Sequence, residues 1–393
     1  MQIESNISFD DTSIAFEAKS NKALNKANFI FSVVNNPFIS KLSTSAVKVA
    51  LALHMPVKGI IKNTVFEHFC GGETIKDSEK TINELFEYNV GTILDYSVEG
   101  EGNTENYEKT KDEVIKTILT AHESDAIPFS VFKVTGIGST KVLQKKQEGK
   151  DLSEQEKQDW DRLHSRVHQI CEVAYEKKVR ILIDAEESWI QDSIDELAYE
   201  MMKKFNQKQP IVYNTYQMYR SDMLGNLKNA FHYAAMDNYF LGAKLVRGAY
   251  MEKERERAEE MNYESPIHIN KEATDADFDK ALSFCIDNKQ RISIVCGSHN
   301  EYSNHYLTLL MGKHSMVNND SRVFFAQLYG MSDNISFNLA KAGYNVAKYV
   351  PYGPVKSVMP YLFRRANENT SVAGQSSREL TLIRKEIKRR SKK

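Results

Sequence analysis

The chain has 393 residues, of which 41% are hydrophobic and 27% charged, and 52 Lys and Arg stand against 53 Asp and Glu for a net charge of −1. That composition specifies a folded protein with a sizeable core and excludes collagen-like, low-complexity and largely disordered chains, while the even balance argues against a chain-wide grip on nucleic acid. Cys70, Cys171, Cys285 and Cys296 are far apart and show neither CxxC nor zinc-type spacing, which fits a reducing compartment rather than a disulfide framework or structural zinc.

The N-terminal stretch carries Glu4, Asp10, Asp11 and Glu17 and no apolar run, so neither a secretory signal nor an arginine-rich transit peptide is expected there. Leu42 to Val57, the most apolar stretch, is interrupted by Lys48 and His54 and falls short of the roughly 20 residues a spanning helix needs. No membrane crossing is expected. Residues 1–75 read as a helical arm, with apolar spacing around Phe29, Ile30, Val33 and Val34 and at Val47 and Leu51.

From residue 76 onward, short apolar or β-branched runs alternate with longer segments of helical period. The runs are Gly91 to Leu94, Phe129 to Val134, Val179 to Ile183, Ile211 to Tyr213, Ala243 to Val246, Ile292 to Val295, Val323 to Ala326 and Val346 to Val350. Eight such units predict an α/β fold, a (βα)8 TIM-type barrel over 76–370, preceded by the N-terminal helical segment 1–75 and followed by a basic tail at 371–393. A doubly wound sheet would alternate too, but no GxGxxG opens its first unit, and Lys133-Val-Thr-Gly-Ile-Gly-Ser139 lacks the third glycine. His164 and His168 share a helix face at a spacing metals use. No Cys or acidic pair completes a ligand set, so the stretch reads as a solvated charged helix and no metal is expected. The last ten residues hold seven basic residues and one acid, net +6, which reads as a frayed helix end or as a contact with anionic lipid headgroups.

A barrel places its active site at the carboxyl ends of its strands. The residues there are polar: Lys133 at the end of the second run, Asp184-Ala185-Glu186 after the third, Asn214 and Gln217 at the fourth, Lys244 and Arg247 at the fifth, Ser298-His299-Asn300 after the sixth, Gln327 after the seventh and Tyr349 to Gly353 at the eighth. Each taken singly has a structural explanation, such as an ion pair for Lys133, a helix cap for Asp184 or core packing for Tyr349. Collected at one rim, such groups cost stability unless they pair or bind something. In the helix that follows, the adjacent Arg364 and Arg365 lie about 100° apart and can converge on one small anion as a carboxylate clamp, although Arg364 and Glu368 also have the spacing of a surface ion pair.

The stretches Ile183-Asp-Ala-Glu-Glu187, Tyr213-Asn-Thr-Tyr-Gln217, Ala243-Lys-Leu-Val-Arg-Gly-Ala-Tyr250, Ser298-His-Asn300, Tyr349-Val-Pro-Tyr-Gly-Pro354 and Tyr361-Leu-Phe-Arg-Arg-Ala-Asn-Glu-Asn369 resemble, in the same order, the proline dehydrogenase family. The resemblance implies an FAD-dependent barrel enzyme of proline catabolism that oxidises L-proline to 1-pyrroline-5-carboxylate by hydride transfer to flavin N5 and passes electrons to a membrane quinone. With the reducing compartment and even charge balance read above, a cytoplasmic location is expected, with peripheral contact at the inner face of the membrane in which the basic tail would take part, and no nucleic-acid partner. By the same resemblance, Asp184 and Lys244 are the catalytic candidates. Lys133, Leu245, Tyr349, Tyr361, Arg364, Arg365 and Glu368 would bind substrate, with the cations on the carboxylate, the apolar groups on the ring and Glu368 balancing Lys133. Asp184, Ala185, Asn214, Lys244, Val246, Arg247, Gly248, Ala249, Tyr250, Lys271, Ser298, His299 and Asn300 would hold the cofactor.

Lys244 and Arg247 follow the mitochondrial-type order, whereas many bacterial members carry Arg and Lys at those positions, and Ile267-His-Ile-Asn-Lys271 follows the family's phosphate-side pattern loosely. Whether Asp184 takes a proton is not readable from residue type, because geometry decides a general base first. The rival readings are a hydroxyproline dehydrogenase, a lysine aldolase with a Schiff base on Lys133, and a binding protein that has lost its cofactor.

Overall fold

Every apolar run anticipated from the sequence becomes a strand. A computed structural model describes residues 7–34, 59, 62–97, 102–362 and 375–392. Its strands are β1 Val90–Tyr96, β2 Phe129–Phe132, β3 Arg180–Ile183, β4 Val212–Gln217, β5 Leu241–Val246, β6 Ile292–Gly297, β7 Val323–Leu328 and β8 Val346–Tyr352. They close a barrel in sequence order. Parallel neighbours need long crossovers, and helices such as Glu154–Lys177 and Ser188–Phe205 supply them. The first of these begins with a Ser153/Glu156 capping box and stops at Lys178, whose φ of 56° ends the helical run.

The chain divides into two compact units. Gly100–Ala326 carries β2 to β6 and most of β7. Within it, Phe129 of β2 meets Tyr213 of β4 edge-on at 5.4 Å and Phe324 of β7 at 4.9 Å, and the Arg180 guanidinium of β3 lies over both phenylalanine rings. Strands that far apart in the order touch only across the barrel interior, so these contacts show which face of each strand looks inward. Since side chains alternate, Tyr213, Thr215 and Gln217 face in along β4 while Asn214 and Tyr216 face the helices. Gly242 faces in on β5, where a Cβ would stand 2.7 Å from the Tyr213 ring. His164 pairs with Glu200 at 2.9 Å and His168 with Lys204, both on the Ser188–Phe205 helix. Among the described residues no group of three or more His, Cys, Asp or Glu is arranged to hold a metal ion.

Asn6–Glu99 with Gln327–Lys393 forms the second unit. It contains β1 and β8, paired in register from Val90↔Val346 to Tyr96↔Tyr352. Arm and tail do not stand apart from these strands. Leu24, Ile30 and Phe31 of the arm share one buried cluster with Val358, Leu380 and Ile383. The basic tail, read from sequence as a frayed helix end or a lipid contact, contains the helix Gln375–Arg390 packed against the arm. Arg389 and Arg390 bind the fully buried Glu386, Arg390 also donates to the Phe16 and Lys19 carbonyls, and Arg378 and Lys385 reach Asp10. Sequence charge exposed the cations, but not that the arm would consume them. No helix among the described residues is long and apolar enough to cross a membrane.

Candidate active site

Parallel register places Phe132 beside Ile183, so the residues that follow, Lys133 and Asp184, emerge together at the strand ends. Lys244 reaches the same point from β5. The Asp184 carboxylate bridges the two ammonium groups, with Oδ2 2.7 Å from Lys133 Nζ and Oδ1 2.5 Å from Lys244 Nζ. Asp184 and Lys244 are buried and Lys133 half-buried. Burial by itself pushes the Asp184 carboxyl up, but the attraction and hydrogen bonds of the two lysines outweigh it and hold the group well below the usual carboxylate range. Asp184 is therefore ionised at neutral pH and a weak proton acceptor.

A second set of hydrogen bonds ties the surrounding loops. Glu186 accepts the Thr135 main-chain N–H at 3.0 Å and the Thr135 hydroxyl, which secures the turn that follows Lys133. Its own N–H goes to Gln191 and its carbonyl accepts Gln217 Nε2 at 2.6 Å, while Gln217 Oε1 accepts the Ala249 N–H at 3.4 Å. This chain of contacts runs from the loop after β2 to the loop after β5. Burial pushes the Glu186 carboxyl up to about 7, against the lowering pull of Thr135.

Two expected site residues lie elsewhere. Asn214 donates to Asp195 at 2.7 Å on the Ser188–Phe205 helix, and its Oδ1 accepts the N–H of Thr215, so its amide is committed to the helix-facing side of β4. Leu245 is fully buried and alternates with Lys244, which puts it on the outer face of β5. Gln217, noted in sequence only as a polar strand end, is the β4 amide on the inward face. Period two, counted along β4 from Tyr213, separates the two amides.

At the ends of β5 and β6, Arg247 donates to Asp275 at 2.7 Å, to Ser298 Oγ at 2.8 Å and to Ser303 Oγ at 3.0 Å, and stacks over Phe278. Asn300 caps the Glu301–Lys313 helix by accepting the Ser303 N–H, and Lys271 joins the cluster through Asp275. Gly248 has φ 138° and lies against the Tyr219 ring, and at Gly297 a Cβ would stand 2.9 Å from Val246. Glycine at these two positions thus makes room for the Tyr219 ring and for Val246. Val246, Ala249, Tyr250 and His299 occupy the strand ends and loops of β5 and β6, and Ala185 follows Asp184 after β3. In the other unit, Tyr349 on β8 and Tyr361 in helical residues 355–362 are both buried. Arg364, Arg365 and Glu368 lie outside the described residues.

A family model described as Proline dehydrogenase matches residues 78–378. The chain is 32% identical over 426 residues to Proline dehydrogenase 1, mitochondrial, of Dictyostelium discoideum, covering 97% of this chain and 74% of that protein. It is 32% identical over 333 residues to the carbapenem antibiotics biosynthesis protein CarD of Pectobacterium carotovorum subsp. carotovorum, covering 85% of this chain and 86% of that one. Among solved structures, proline utilization A (PutA) from Bdellovibrio bacteriovorus inactivated by N-propargylglycine has the same fold, with a TM-score of 0.72 at 19% identity over 94% of this chain. The chain spans 40% of that longer polypeptide. Because the family match begins inside the Ile75–Phe86 helix and ends inside the Gln375–Arg390 helix, it takes in all eight strands, and the chain belongs to the proline dehydrogenase family.

Proposed function

We propose that the protein is an FAD-dependent proline dehydrogenase that converts L-proline to 1-pyrroline-5-carboxylate at the strand ends. The observation that carries this reading is the Asp184 carboxylate bridged by Lys133 and Lys244 at the ends of three strands. The donor set suits a flavin dinucleotide. Arg247 and the Ser298 hydroxyl offer cation and hydrogen-bond chemistry for a diphosphate, and Lys244 and Gln217 offer donors to a ring edge.

FAD, when bound, supplies the hydride acceptor, N5. The residues of this chain do the rest. Lys133 would take the substrate carboxylate, together with Arg364 and Arg365 as the resemblance implies, and Tyr349 and Tyr361 would wall the apolar ring. Asp184, kept ionised, orients both lysines and is a poor base for the ring nitrogen, so the amine must arrive neutral or lose its proton to water before its neighbouring carbon gives up hydride. A quinone as the final acceptor belongs to the same reading. Peripheral membrane contact through the tail is weakened as an idea by the internal partners of Arg384, Lys385, Arg389 and Arg390.

Anaerobic addition of L-proline to the purified protein should bleach the flavin absorbance bands, and admitting a soluble quinone should restore them. Protein that binds FAD but keeps its spectrum in saturating L-proline would overturn the substrate assignment. Protein that cannot be reconstituted with FAD at all would overturn the cofactor.

A further inference from the structure

A second group of buried charges lies in the unit that contains β1 and β8, and the reaction sketched above does not use it. Lys348 of β8 is fully buried, and alternation along the strand points it away from the face on which its neighbour Tyr349 lies. Its ammonium stands 2.9 Å from Asp333 Oδ1 and donates to the Met331 carbonyl. The other oxygen of Asp333 is 3.0 Å from Lys19 Nζ in the N-terminal arm. Glu379, buried on the C-terminal helix, accepts the main-chain N–H of Ser332 at 2.9 Å, one residue before Asp333. Two lysines and two carboxyl groups thus come together from the arm, the start of the Asp333–Lys341 helix after β7, β8 and the last helix. Lys19 and Glu379 both lie outside residues 78–378, the extent of the family match.

Well-packed apolar residues would hold these segments together at less cost in desolvation, so cohesion alone explains the tetrad poorly. What a buried ionic set adds is a single allowed arrangement, because any slip leaves a charge unpaired. The element it constrains is β8, and the loop it constrains is also tied to Tyr349 itself, since the Tyr329 N–H donates to the Tyr349 carbonyl at 2.9 Å. We propose that Lys19, Asp333, Lys348 and Glu379 act as positioning residues for β8, through which the two chain ends flanking the family core set Tyr349 against the substrate ring. This inference rests on the proline dehydrogenase reading.

Lys19→Met removes the outlying cation and Glu379→Gln the outlying carboxyl, and both leave the Lys348–Asp333 pair in place. In both variants KM for L-proline should rise about threefold to tenfold, with kcat changed less than about twofold and FAD content unaltered. The preference in kcat/KM for L-proline over trans-4-hydroxy-L-proline should shrink, and Lys19→Arg should restore both. Unchanged KM and unchanged preference in variants that only melt earlier would assign the tetrad to stability and overturn the proposal. If either single variant does not fold, the neutral set Lys19→Met, Asp333→Asn, Lys348→Met and Glu379→Gln leaves no lone buried charge. A folded set with parental KM and preference overturns the proposal, as does a set that cannot fold, whereas a folded set with raised KM and lost preference supports it. The unaltered enzyme is the control: if it does not oxidise L-proline, the activity reading fails and takes this inference with it. If it does and the variants match it, only the positioning role fails.

Discussion

The trio Lys133–Asp184–Lys244 and the tetrad around Lys348 use the same chemistry, an aspartate bridging two lysines, to different ends. Asp184 bridges at 2.7 and 2.5 Å and Asp333 at 2.9 and 3.0 Å, and in both sites the lysines overcome burial to keep the aspartate ionised. They differ in the face of the strand. Lys244 looks inward at a strand end, and its partner Lys133 keeps 27% of its side chain exposed to whatever enters. Lys348 looks outward, is 0% exposed and is wrapped by its own chain's carbonyls. Strand face, more than residue type, separates a lysine suited to binding a substrate from one that orders a scaffold.

The largest effects should come from the same substitution made in each cluster. Asp184→Asn should lower kcat/KM for L-proline by about a hundredfold or more, because both lysines lose the group that orients them, and should cost less stability than the same change in the tetrad, because Lys133 is part-exposed and can turn to water. Asp333→Asn should show the reverse weighting and destabilise the fold by about 3 to 5 kcal/mol, since it strips the charge partner from a fully buried lysine. Steady-state kinetics and denaturant melts on both proteins check the contrast, and two variants with the same profile would break it.

Next in size is substrate choice at Tyr349. An aromatic wall meets proline's apolar ring edge without leaving a polar group unpaired, whereas a 4-hydroxyl pressed against it is buried at a cost of roughly 1 to 3 kcal/mol. The unaltered enzyme should therefore favour L-proline over trans-4-hydroxy-L-proline by about tenfold to a hundredfold in kcat/KM, and Tyr349→Ser should narrow the gap, chiefly by weakening proline. Equal kcat/KM for the two substrates in the unaltered enzyme would show that Tyr349 is not the wall.

Each site also has a carboxyl held up by burial, Glu186 to about 7 near the trio and Glu379 to about 7 in the tetrad. A raised acid binds its proton more tightly in the folded state. Its contribution to stability is present below the ordinary pKa of 4.5 and is lost as pH climbs towards 7. His68, pushed down to about 3 by burial, acts oppositely as pH falls below its ordinary 6.5, so total stability mixes the two trends. The difference between parent and Glu186→Gln isolates one carboxyl: the parent's advantage in melting temperature should be greater near pH 5 than near pH 8. A difference independent of pH would mean that Glu186 does not titrate in that window. The smallest effect belongs to the exposed Arg378–Asp10 pair, where Arg378→Ala should cost less than about 1 kcal/mol.

Local pattern carried much of this molecule into view. Alternating apolar runs and helical segments specify eight βα units because each period is set within a few residues, and the strand-end residues Lys133, Asp184, Lys244 and Arg247 follow from where each run stops. The choice between Asn214 and Gln217, and the outward face of Leu245, depend on the phase of the alternation, which short apolar runs leave open until a cross-barrel contact such as Phe129 with Phe324 fixes it. Lys19, Asp333, Lys348 and Glu379 are scattered along the chain and individually ordinary, so nothing in their spacing announces a cluster. Only folding made them one site, when the two chain ends packed together and brought Lys19 and Glu379 to the Asp333–Lys348 pair.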